Sequence, residues 1–224
     1  LLSPIRTMPR AMAVDGATDP VAEEIRATLG LTFPISSLDL DMGRLHGMVE
    51  ALDPVETASL RIRQGGVLQV DIVERVPAIL WRDGEQLALL DATGARVGPA
   101  GPRHAWPELP VIAGEGARDH VAEALDLYAT IGPLRPRLRG FERLGDRRWD
   151  VVLDRGQRIM LPEQGAQRAL ERAIAMDQAE RVLAQKVTTV DLRLPRRPTV
   201  RLTKAAADAL WKVKQEQAQG GAQE

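Results

Sequence analysis

Catalysis or metal binding needs a nucleophile, a base or a set of ligands, and this sequence holds few of each. His46, His104 and His120 are its three histidines. None stands at an HxH or HExxH spacing that would bring two imidazoles to one metal. His46 falls on a helix near Asp39 and Asp41, where a solvated helix face is the simpler reading. His104 lies in a proline-rich loop and His120 at a helix start, where exposure or capping accounts for each. The serines are Ser3, Ser36, Ser37 and Ser59. No G-x-S-x-G elbow frames them, and Ser36-Ser37 before a helical stretch reads as a cap. Gly114-x-Gly116 lacks the third glycine and the lysine of a phosphate cradle. The acid pairs Asp83/Glu85 and Asp146/Asp150 sit in hairpin turns, where carboxylates serve turn conformation. There is no cysteine, so thiol catalysis and disulfides are excluded. Nucleic-acid binding would want basic and aromatic residues interleaved. Phe33, Tyr128, Phe141 and four tryptophans are scattered instead, and the formal net charge is −1. The expectation is a protein with no catalytic residues, no metal and no cofactor.

The elements that would position any site read as two α+β parts. Met12–Val14 is a short strand, and Asp15-Gly16 turns the chain. Asp19 as N-cap, Pro20 at the first helical position and Gly30 as a stop bound a helix whose stripe is Val21, Ile25 and Leu29. A second helix carries Leu45, Val49 and Leu52, with Asp39 or Ser37 as cap and Asp53-Pro54 as its end. Alternation at Ala58, Leu60 and Ile62, a Gln64-Gly65-Gly66 turn, then Leu68, Val70 and Ile72 make a hairpin. The order strand-helix-helix-strand-strand fills residues 10–77. From Ile79 the pattern is a β meander turning at Asp83-Gly84 and Thr93-Gly94. Residues 97–116 are rich in Pro and Gly and read as loop. Helices are expected at Asp119–Ile131 and Gln164–Gln185, hairpins turning at Gly145-Asp146 and Arg155-Gly156, and a strand in "VTTVDLRL" with "TVRL" after Pro198 as its return. Lys204–Lys214 reads as a short helix leading into a disordered tail. Pro77 interrupts what would otherwise be one long strand. Proline cannot donate to a ladder, so it marks a seam between two parts.

The stretch "VDIVERVPAILWRDGEQLALLDATGARV" resembles the junction of the FtsQ family of cell-division proteins, called DivIB in Gram-positive bacteria. Glu74, Arg75, Pro77, Ala78, Trp81, Asp91 and Gly94 match the family pattern in order. "RRWDVVLDRGQRIMLPE" and "VTTVDLRLP" resemble two further family strands, so the likeness covers roughly residues 10–203. It implies a membrane-proximal segment at 1–9, a POTRA domain at 10–77, a mainly antiparallel β domain with flanking helices at 78–203, and a C-terminal helix and tail at 204–224. It also implies a single-pass inner-membrane protein whose membrane span is not in this sequence and whose present part is periplasmic, at the division septum. The implied role is a non-enzymatic scaffold that binds FtsB and FtsL and helps regulate septal peptidoglycan synthesis. In such proteins FtsB adds a strand to a sheet edge, which maps here to Thr189, Val190, Asp191, Leu192, Arg193 and Leu194, with Val200 on the return strand. Arg193 matches the arginine that meets an FtsB acid, and Arg172 and Arg181 of the neighbouring helix are further acid partners. Glu74, Arg75, Pro77 and Trp81 are assigned to the junction. The competing reading is a POTRA-bearing transport or assembly chaperone for outer-membrane proteins.

Overall fold

In the computed structural model the described residues are 8–220, with side chains described as far as Lys212. Residues 1–7 of the expected membrane-proximal segment and 221–224 of the expected tail lie outside them. The chain divides into two units. One holds the residues up to Pro77 with 89–91 and 95–99; the other holds 78–88, 92–94 and everything from Ala100 onward.

The first unit begins with β1 (Ala11–Asp15), α1 (Asp19–Leu29), α2 (Met42–Glu50), β2 (Val55–Arg63) and β3 (Val67–Glu74). The sheet order is β1-β3-β2, with β1 parallel and β2 antiparallel to β3. The apolar periodicity builds its core. Ile25, Leu29, Leu45 and Val49 from the helices meet Val55, Leu68, Val70 and Ile72 from the strands. Gly16 takes φ +83 at the β1–α1 turn, where a Cβ would run into the Ile72 carbonyl oxygen, so only glycine fits. The caps differ from the sequence expectation. Thr18, not Asp19, is the N-cap of α1, and its own N–H is taken by the Glu74 carboxylate. Asp41, not Asp39 or Ser37, caps α2 by accepting from Arg44 N at 3.0 Å. The Ser36 hydroxyl accepts from Leu38 N at 3.3 Å, closing a local turn before α2. Several oxygen-bearing side chains crowd these starts, and backbone geometry selects among them.

The second sheet has nine strands. They are β4 (Ile79–Asp83), β5 (Gln86–Leu90), β6 (Arg96–Pro99), β7 (Val111–Ala113), β8 (Leu138–Leu144), β9 (Arg148–Leu153), β10 (Arg158–Met160), β11 (Val187–Asp191) and β12 (Thr199–Leu202). Their spatial order is β12-β11-β10-β9-β8-β7-β4-β5-β6. The stretch expected as loop at 97–116 therefore contains most of β6 and all of β7. Three residues are too short to show a period, yet Val111 and Ile112 are buried between β4 and β8.

Three neighbouring pairs in this sheet are parallel, β4–β7, β7–β8 and β10–β11; the last two are each joined by a helical crossover. These are α3 (Val121–Thr130) and α4 (Ala166–Glu180). The strands β7, β8, β10 and β11 all run in one direction. Both crossovers also step the same way along the sheet. Right-handed connections then put both helices on one face, and α3 and α4 pack against each other. Each helix is shorter than its period suggests. A 3-10 turn, Ala117–His120, precedes α3. Arg181 adopts φ 50, which ends α4 before a second 3-10 turn, Val182–Ala184. There the Asp177 carboxylate accepts from Leu183 N at 2.7 Å. A last helix, α5 (Lys204–Gly220), runs beyond Lys214 into the stretch expected to be disordered. Alanine, lysine and glutamine are good helix formers, so low complexity alone does not decide the state. No helix among the described residues is long and apolar enough to cross a membrane.

Candidate partner-docking site

The residues assigned to strand addition lie at one end of the nine-stranded sheet. Thr189, Val190 and Asp191 are in β11, which is paired on both sides: parallel with β10 (Ile159↔Val190) and antiparallel with β12 (Val190↔Val200). The edge expected at Thr189–Leu194 is thus taken up by the chain's own β12. Of the assigned residues only Val200 stands on the outermost strand. "TVRL" is the return strand that the sequence suggests, and its pairing moves the free edge outward by one strand.

The hydrogen bonds fix which backbone groups that edge offers. The Arg201 carbonyl accepts from the Thr188 hydroxyl at 3.2 Å, and Thr203 N donates to Lys186 O at 2.8 Å. Arg201 and Thr203 therefore use their main chain on the β11 side. Backbone direction alternates along an antiparallel strand, so Val200 and Leu202 turn their N–H and C=O outward. No strand pairs with that side among the described residues.

The other assigned residues frame the edge. Val190 and Leu192 are buried, and Leu192 N donates to Met160 O at 2.9 Å; these two build the sheet. Arg193 grips Asp191, its guanidinium donating to both carboxylate oxygens at 2.6–3.1 Å, with its backbone N at 3.0 Å from Oδ1. The Arg193 hydrogen bonds hold the Asp191 carboxyl below the usual carboxylate range. Leu194 is 64% exposed and Val200 40%. A hollow beside them is lined by Asp191, Arg193, Leu194, Arg197 and Thr199. Arg172 of α4 donates to the Pro195 carbonyl at 2.8 Å and so holds the β11–β12 loop; Arg181 is exposed at the end of α4.

The junction residues have partners of their own. Arg75 N donates to Pro54 O at 2.8 Å, and its guanidinium meets Asp91 Oδ2 at 2.8 Å. Asp91 Oδ1 accepts from Ala95 N at 2.9 Å, which closes the turn that ends in Gly94 and Ala95. Both Arg75 and Asp91 belong to the first unit. Pro77 is the last residue of that unit's first segment, and Trp81 lies 5.8 Å from the Arg118 guanidinium.

Two of the three histidines are tied into the fold. His46 bonds the Ala58 carbonyl at 3.0 Å, and His120 lies 3.0 Å from Glu123 Oε1. Gly114 passes close to the Arg143 carbonyl, which gives that glycine a packing reason. No cluster of three His, Cys, Asp or Glu suited to a metal occurs among the described residues. One buried polar group has no counterpart in the sequence reading. Arg143, 4% exposed, meets Glu123 Oε2 at 2.8 Å and Asp146 Oδ1 at 3.1 Å, and Trp149 Nε1 donates to the same Glu123 oxygen at 2.9 Å. Burial alone would raise the Glu123 carboxyl. The bonds from Trp149, Arg143 and His120 outweigh it and bring the carboxyl below its ordinary value. These residues come from α3, β8 and β9, so no local spacing announces them.

The family model for the C-terminal domain of the cell division protein FtsQ/DivIB matches residues 79–193. The match ends at Arg193, before β12. The cell division protein FtsQ of Roseobacter litoralis is 50% identical over 208 residues, 93% of this chain and 71% of that protein. The FtsQ of Dinoroseobacter shibae is 46% identical, across 92% of this chain and 70% of its own. That of Cereibacter sphaeroides is 47% identical, across 89% and 65%. A small three-stranded α/β unit, a large mixed sheet with crossover helices, and these similarities lead to one assignment: the chain belongs to the FtsQ/DivIB family of cell division proteins.

Proposed function

We propose that this chain is a non-enzymatic scaffold of the division complex and that it receives its partner as an added strand on the free edge of β12. The partner is FtsB, held with FtsL, and the assembly acts at the periplasmic face of the inner membrane to help regulate septal peptidoglycan synthesis. One observation carries the site. β12 is a solvent-exposed edge strand whose Val200 and Leu202 main-chain groups have no partner strand among the described residues, while the strand inside it is paired on both sides. Edge strands recruit partners through the ladder, and alternate side chains set the register.

Titration of a peptide from the membrane-distal end of FtsB into the full chain tests this. Binding on the order of tens of micromolar or tighter is expected. Val200→Pro deletes one outward N–H without removing a bond to β11, and prolines are tolerated on edge strands. It should abolish binding while the melting curve stays in place. Retained affinity in that variant removes β12 as the site.

A further inference from the structure

The sequence carries a run of alternating arginines, Arg135, Arg137 and Arg139, that the docking edge does not use. Arg137 is bound within the fold, by Asp154 and Gln157. The other two line, with Arg103, a hollow of about 130 Å³ at the N-terminal ends of β7 and β8. The three guanidinium groups come from separate places. Arg103 opens the 3-10 turn Arg103–Ala105, Arg135 lies in the 3-10 turn Gly132–Arg137, and Arg139 is in β8. What holds them is neutral. Arg103 donates to the Trp106 carbonyl and, at 3.0 Å, to the Leu109 carbonyl. Arg135 lies 4.4 Å from the centre of the Tyr128 ring and donates to Tyr128 O at 3.2 Å. The Tyr128 hydroxyl donates to the Glu108 carbonyl at 2.9 Å, which ties the wall of the hollow to α3. Arg139 is exposed and has no hydrogen-bond partner among the described residues. None of the three meets a carboxylate among those residues, whereas Arg75, Arg137, Arg143 and Arg158 each have one. These cations are placed without being neutralised. Glu108 is the one acid among the described residues that line the hollow, so three guanidinium groups against one carboxylate leave a formal +2.

We propose that this hollow binds the phosphoryl group of a phosphate monoester. Such a group carries about −1.5 to −2 charge at pH 7 and offers three acceptor oxygens. That matches both the excess charge and the number of guanidinium groups. A carboxylate brings one charge and two oxygens and would leave the rim cationic. The planar fork of arginine suits phosphate geometry. A guanidinium already held by carbonyls and a ring gives up little freedom on binding, and Arg103 and Arg135 are held in that way. The larger hollow at Trp81 and Gly114–Asp119, of about 520 Å³, lacks this property. Its Arg82 and Arg118 share it with Asp83, Glu115 and Asp119, so cations are not in excess there. The arginine hollow is built within the second unit alone. It is separated from β12 by β9, β10 and β11, so it stands apart from the docking edge. The same phosphoryl chemistry has two sources, a lipid headgroup and a soluble ester.

Titration of glycerol 3-phosphate into the full chain, followed through the arginine Nε–H resonances, tests this. Saturable shifts at Arg103, Arg135 and Arg139 are expected, with a Kd on the order of 1 mM at low salt. Acetate should bind at least about fivefold more weakly. Arg139→Gln removes a side chain that has no partner in the fold. It should weaken binding of the ester about tenfold while the melting curve stays in place. Arg82→Gln removes the same charge outside the hollow and should stay within about twofold of the parent. Equal losses in the two variants, or equal affinity for acetate, would reduce the effect to diffuse surface charge and overturn the proposal. So would a lack of saturation at tens of millimolar ester. Phosphatidylcholine vesicles with and without phosphatidic acid separate the two sources. Binding that needs phosphatidic acid, is displaced by glycerol 3-phosphate and is lost in Arg139→Gln assigns the hollow to a lipid headgroup. Affinity for the ester without vesicle binding assigns it to a soluble phosphate.

Discussion

At the scale of single residues, two ion pairs make contrasting predictions. Glu123 neutralises a guanidinium that has almost no access to water. Glu123→Gln leaves Arg143 with Asp146 alone and should cost about 1–3 kcal/mol in chemical denaturation. Glu23→Gln breaks an exposed pair with Arg26 and should stay within about 0.5 kcal/mol. The Asp191–Arg193 pair acts through pH. Its folded carboxyl is depressed by Arg193, so the pair stabilises the β11–β12 loop above the unfolded carboxylate value of about 3.9. That contribution is lost as pH falls through the lower folded value. The protection factors of the amides of Leu192, Arg193, Leu194, Arg196 and Arg197, taken relative to the intrinsic exchange rate at each pH, should fall on acidification, and Asp191→Asn should flatten this dependence. Arg193 shows why chemistry read along a sequence can mislead about availability. The residue type and place match a partner contact, yet a carboxylate two positions away already engages its Nε and Nη2.

At the scale of elements, the first unit is legible in the sequence because each of its strands and helices is long enough to display a period. Ile25 and Leu29, Leu45 and Val49, and Leu68, Val70 and Ile72 all fall on the faces that the structure buries. Pro77 ends the first segment of the first unit, which also takes in residues 89–91 and 95–99, and the missing donor is the backbone reason for a break there. β7 is not legible: its three residues sit between prolines and glycines, and only two flanking strands make them a strand. The free edge is partly legible. Pro195 and Pro198 announce a turn, but whether the return strand pairs is decided by Thr188, Lys186 and the ladder, none of which leaves a pattern. Gly16 offers a test of an element boundary. Gly16→Ala forces a side chain toward the Ile72 carbonyl at a positive φ. It should destabilise the first unit by about 1–3 kcal/mol, read as faster amide exchange at Ile25 and Val49 than in the parent.

At the scale of the whole molecule, a formal charge of −1 hides a local excess of cations at residues 193–212. The field near β12 is therefore positive although the sum is close to zero. Association of an acidic segment should be steered by that field. Its on-rate should drop about tenfold from low to physiological ionic strength, while its off-rate changes little, as stopped-flow mixing would show. The order of the sheet also has a consequence in time. Chains are made from the N-terminus, and β12 is the last strand in sequence among the described residues. Until Thr199–Leu202 arrive, the outward row of the sheet belongs to β11, with a different register and without α5 at its end. A molecule interrupted before that point would show newcomers the wrong template. The outer edge of the sheet therefore comes into being only when Thr199–Leu202 have been made.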